Sequence, residues 1–127
     1  MITNFERQTE KVTDAEKALI PYIVDIVSRS TGKEKAITND KIRKKIEFQA
    51  GKGAIKDFRL RVLIHHIRCR GYIERLCSSS KGYYIGTKDE CETYIKSLEE
   101  RIESIKHLHQ ALKKQTQDPK RQLSIAI

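Results

Sequence analysis

Residues 64–85 read IHHIRCRGYIERLCSSSKGYYI, and the order of signals in this stretch decides the fold. Ile64 and Ile67 are spaced as the buried edge of a helix, and Gly71 supplies a C-terminal stop. Residues 72–77 alternate aromatic or β-branched side chains with polar ones, which is strand character. Ser78, Ser79, Ser80, Lys81 and Gly82 are turn chemistry, and Tyr83, Tyr84 and Ile85 read as the returning strand. The stretch therefore predicts a helix followed by a β-hairpin, with a loop longer than a two-residue turn that protrudes from the domain.

Upstream, Leu60 and Leu63 join Ile64 and Ile67 on one side of a helix running from about 55 or 56 to 70. Gly51-Lys52-Gly53 separates it from a shorter helix, capped by Thr38 or Asn39, whose buried edge is Ile42 and Ile46. A first helix opens at Thr13, with Glu16 three residues on as a capping box requires, and ends near Arg29. Pro21 lies inside it and predicts a kink or a later start. Downstream, residues 89–115 are good helix formers. Ile95, Leu98, Ile102, Ile105, His109 and Leu112 follow 3-4-3-4-3 spacing, a heptad seam with one histidine in it. The expected fold class is mainly α (α+β): three helices and a hairpin, then a long C-terminal helix. The expected organisation is an arm at 1–12, a domain at 13–87, the long helix at 88–116 and a tail at 117–127.

Charge is distributed unevenly. From residue 29 to 82 there are 15 Lys and Arg against 5 Asp and Glu, whereas the rest of the chain has 11 against 12, so the whole net charge of +9 comes from the middle. A solvated basic surface is the plain reading; a patch facing a polyanion, DNA above all, is the sharper one. Three cysteines (Cys69, Cys77 and Cys91) cannot all pair and form no C-x-x-C. Reduced thiols in a cytoplasmic protein follow, with no metal expected, since the four histidines do not stand at ligand spacing to them either. No apolar run approaches a membrane span and the first residues lack a secretion-signal pattern. No catalytic motif or phosphate loop is legible, so neither an enzyme nor a cofactor is expected.

Three helices and a hairpin in about 75 residues resemble the winged helix-turn-helix domain. Ile64, Ile67, the Arg68-x-x-Gly71 exit and the Gly82-Tyr83-Tyr84 hairpin carry the likeness most clearly. Similar segments occur in bacteriophage, prophage and mobile-element proteins, often with a trailing helix. The resemblance implies double-stranded DNA as the partner, with a role in transcription regulation or in organising replication. One departure is the glycine-rich segment at 48–55, longer than the tight turn usual before a recognition helix.

A helix docked in the major groove buries one side and offers the other. Opposite Leu60 and Leu63 the third helix carries Phe58, Arg61, Val62, His65 and His66, with Arg59 at the flank. Arginine forks match guanine and phosphate, which makes Arg59 and Arg61 the first candidates; His65 and His66 are within reach, or one of them packs beside the hairpin. Phe58 also reads as core. Lys41, Arg43, Lys44, Lys45, Lys52 and Lys56 suit the phosphate backbone, or an ordinary solvated face. Arg75, Ser79, Ser80 and Lys81 would bring the hairpin to an adjacent groove. The seam from Ile95 to Leu112 asks for cover, either from a second copy in a homodimer or from the chain's own first helix. The alternative function is a protein-interaction module, such as a phage accessory protein binding a host factor; RNA is a weaker third.

Overall fold

The computed structural model describes residues 11–117. The arm and the tail expected at the chain ends lie outside the described residues, apart from Lys11, Val12 and Gln117. The chain is mainly helical, with one two-stranded antiparallel sheet and a long C-terminal helix. It divides between Cys91 and Glu92 into two units.

The first helical region is broken in two. α1 (Asp14–Lys17) carries the capping box that Thr13 and Glu16 predict, with Thr13 Oγ1 accepting from the Glu16 amide and Glu16 Oε1 from the Thr13 amide. α2 (Ile20–Ser28) begins afresh with Pro21 in its first turn, where the missing N–H costs nothing. The proline thus marks a later start and not a kink. Its inward face is Ile23, Ile26 and Val27.

A 3-10 turn at Lys33–Lys35 leads to α3 (Asn39–Ala50), whose cap is Thr38: its hydroxyl accepts from the Lys41 amide. α4 (Asp57–Cys69) follows, burying Leu60, Leu63, Ile64 and Ile67 against Ile42 and Ile46 of α3 and the α2 face. Ile37, Ile55, Ile73 and Leu76 close the same core from the connecting segments.

The hairpin departs from expectation in two ways. β1 (Leu76–Ser79) starts four residues later than the alternation from 72 predicts. The chain uses those residues to leave α4: the Tyr72 amide returns to the Ile67 carbonyl, Gly71 has φ 69°, and Arg75 takes φ 53°, a left-handed conformation that a strand cannot contain. β2 (Gly82–Ile85) pairs with β1 from Ser79↔Gly82 to Leu76↔Ile85, leaving Ser80 and Lys81 alone as the turn. The protrusion is therefore short.

The sheet is anchored by a contact that the sequence pattern does not announce. Ile37 and Tyr83 exchange both backbone hydrogen bonds at 2.8 Å, and Ile85 donates to Ser30 O and accepts from the Gly32 amide. The segment between α2 and α3 thus lines up beside β2. Gly82 is required here: at φ 122° any Cβ would fall on the Ile37 carbonyl.

α5 (Lys88–Gln117) is opened by a second capping box, Thr87 with Glu90. The other carboxylate oxygen of Glu90 accepts from the Lys33 amide, and these backbone hydrogen bonds from Thr87 and Lys33 hold its carboxyl below the usual range. Among the described residues no helix is long and apolar enough to cross a membrane.

Candidate nucleic-acid interface

On α4 the solvent side is a stripe at Phe58, Arg61, His65 and Cys69, the i, i+3, i+7, i+11 positions opposite the core. Phe58 is 56% exposed and so is not core. Val62 and His66, expected on this face, are buried. His65 Nε2 stands 3.5 Å from Cys69 Sγ.

A cleft of about 490 Å³ runs along one flank of the stripe. Its walls are the start of α3 (Thr38, Asp40), the α4 residues Arg61 and Arg68, and the hairpin residues Ser79 and Ser80. The structure therefore brings together residues from two separate candidate groups, Arg61 of the helix and Ser79 and Ser80 of the turn. Arg68 holds this arrangement, donating Nε to the Leu76 carbonyl at 3.0 Å where β1 begins. The sequence reading used Arg68 only as part of a helix exit; its spacing of eight residues from Leu76 carries no recognisable signal.

Acids are interleaved with the cations of the cleft. Arg61 meets Asp57 at 3.4 Å, with both side chains at least half exposed. Asp40 binds Arg43 at 2.8 Å and Lys44 at 3.2 Å, and the hydrogen bond from Arg43, followed by that from Lys44, keeps its carboxyl below the ordinary range. Asn39 Nδ2 donates to the Asp57 carboxylate and carbonyl, tying the starts of α3 and α4 together. Buried beside this knot, Asn39 Oδ1 and Arg43 Nε have no hydrogen-bond partner among the described residues. Such exposed pairs contribute little to stability, so an incoming phosphate can displace Asp57 from Arg61 at low cost.

Lys41, Lys45, Lys52, Lys56 and Lys81 are exposed and make no ion pair among the described residues. Lys81 sits in the turn, its amide held by Ser79 Oγ. None of the five lines the cleft, and Lys45 borders a different hollow with Asp25, Arg29 and Phe48.

Three of the expected contact residues are engaged within the domain. Arg59 faces inward along α1: Nε and Nη2 bind the two carboxylate oxygens of Glu16 at 2.7 and 2.8 Å, and Nη2 also donates to the Lys11 carbonyl. The side chains are only 28% and 13% exposed. Arg59 holds Glu16 at a pKa of about 2, a charge-assisted bidentate pair that occupies the guanidinium in this structure. His66 is buried because its side of α4 packs toward α2; it lies at a cleft of about 840 Å³ with Ile20, Val24 and Tyr72. Burial, then the nearby Arg70, pushes its pKa down; Nδ1 is 3.0 Å from Arg70 Nη1 and the ring meets Tyr72 edge to face. Arg75 stands at the base of the hairpin and not at its tip, with Nε on the Gly86 carbonyl at 3.0 Å.

On α5, Ile95, Ile102, Ile105 and Leu112 are exposed, as is His109; Leu98 is half-buried. Cys77 is buried and Cys69 exposed, all three thiols being free. Burial, then neighbouring Cys91, pushes the Cys77 thiol up to about 11, which leaves it unreactive. No group of three His, Cys, Asp or Glu side chains among the described residues is placed to hold a metal ion. Comparison of the chain with protein-family models, curated proteins and solved structures finds no match in any of the three.

Proposed function

We propose that this chain is a winged helix-turn-helix protein that binds double-stranded DNA, with α4 as the recognition helix and the β1–β2 hairpin as a short wing. The observation that carries the reading is the exposed Arg61 of α4 sharing a cleft with Ser79 and Ser80 of the hairpin, inside the segment that holds all the surplus positive charge. The backbone pairing of Ile37 with Tyr83 supports it too, since it ties the hairpin to the segment that leads into α3. Arg61 and His65 would meet base edges, with Ser79, Ser80 and Lys81 on the adjacent backbone. Lys41, Lys44, Lys52 and Lys56 would contribute phosphate contacts. The resemblance of residues 64–85 to phage and mobile-element proteins supports a role as a cytoplasmic transcription regulator or replication-organising factor and not as an enzyme, and the α5 seam supports action as a homodimer.

A protein-binding module is the second reading. It is favoured by Phe48, 92% exposed, and by Phe58, exposed at the start of the α4 stripe. A mobility-shift titration on random duplex and on the gene's own upstream region, at two salt concentrations, separates the two. The DNA reading expects salt-sensitive binding with a preferred site; binding that salt erases equally on both duplexes favours the protein partner.

A further inference from the structure

We infer that α5 pairs with α5 of a second copy of this chain as an antiparallel coiled coil in one defined register. The inference deepens the homodimer proposed above and does not depend on DNA binding.

The seam, exposed except at the half-buried Leu98, sets the heptad: Ile95, Ile102 and His109 at a, Leu98, Ile105 and Leu112 at d. The e positions that flank it are then Glu92, Glu99, Lys106 and Lys113: two acids followed by two bases. All four are exposed and none makes an ion pair among the described residues. In a parallel pair each g residue faces the e residue of the next heptad of the other helix. That sets Arg101 against Lys106 twice, provides no opposite-charge pair, and puts the two His109 rings in one core layer.

Antiparallel helices instead place e against e. When Ile102 packs on the second copy's Ile105, Ile95 meets its Leu112 and Leu98 its His109, so every seam residue has a layer. In that register Glu92 faces Lys113 and Glu99 faces Lys106, and two-fold symmetry repeats both pairs. A shift of one heptad either way brings Glu99 against Glu99 or Lys106 against Lys106. Charge thus selects both direction and register. The two Cys91 positions then lie about 37 Å apart along the helices at 1.5 Å per residue, close to the rise of one turn of duplex.

The test uses the full chain. Sedimentation at about 100 µM is expected to give twice the 14.7 kDa of one copy; a monomer, trimer or tetramer overturns the inference. Direction is read by oxidising mixtures of Ile102→Cys and Ile105→Cys chains that differ by a tag, with the unsubstituted chain as control for the native thiols. The expected disulfide joins Ile102→Cys to Ile105→Cys, with neither variant cross-linking to itself; self-cross-linking of Ile102→Cys means parallel helices and overturns it. Lys106→Glu with Lys113→Glu should weaken the dimer by about tenfold or more. A strengthened dimer, the outcome for parallel helices relieved of Arg101–Lys106 repulsion, is contrary.

Discussion

Removing the Glu16–Arg59 pair should loosen the domain without changing its affinity for DNA. Glu16 titrates at about 2 in the folded chain against an ordinary value of 4.5, and Arg59 is the largest cause, ahead of the Thr13 contacts. A shift of that size corresponds to about 3 kcal/mol at about 1.4 kcal/mol per unit. Thr13 holds part of this, so the Arg59 share is about 2 kcal/mol. The pair is mostly covered, which limits the discount for screening by solvent. The expected coupling in a double-mutant cycle of Glu16→Ala and Arg59→Ala is therefore about 2 kcal/mol at neutral pH. The sign with pH follows from the lowered pKa. The stabilisation is complete above 4.5, where the unfolded carboxylate is also ionised, and is lost as pH falls toward 2. Urea unfolding followed by circular dichroism, for four chains at a series of pH values, measures it. A coupling under about 0.5 kcal/mol at neutral pH, or one unchanged at the acid end, would refute the reasoning.

His66, whose pKa burial lowers, should make the chain less stable as pH drops below 6.5, because the unfolded state takes up the proton first; His66→Phe should remove that part of the slope in the same urea assay. Gly82→Ala, placing a methyl on the Ile37 carbonyl at φ 122°, should cost at least about 2 kcal/mol and melt the hairpin first, visible in amide exchange of Tyr83 and Ile85. Lys81→Ala should weaken binding to all duplexes alike and lower the slope of log affinity against log salt by about one, read by fluorescence anisotropy.

Periodic features were readable in the sequence. The inward faces of α2, α3 and α4 follow from spacing, because a helix repeats its environment every three or four residues, and Thr13 and Thr38 follow from their place just before those runs. Pairings across the chain were not. Glu16 is a legible capping residue, but its second role toward Arg59, 43 residues away, has no local signature. Arg59 and Arg61 look equivalent in sequence, and only the packing of α1 on one flank of α4 turns the first inward. The β-forming residues Tyr72 and Ile73 put the strand start too early, because the backbone there is still turning, at Gly71 and Arg75.

The most direct measurement compares Arg61→Ala and Arg59→Ala for affinity to a preferred duplex, by anisotropy at fixed salt under conditions where both variants are folded. If α4 presents its Phe58–Arg61–His65 side to a groove, Arg61→Ala loses about ten- to a hundredfold, while Arg59→Ala binds like the unsubstituted chain. Equal losses in both variants, or intact binding in Arg61→Ala, would mean that another surface meets the DNA.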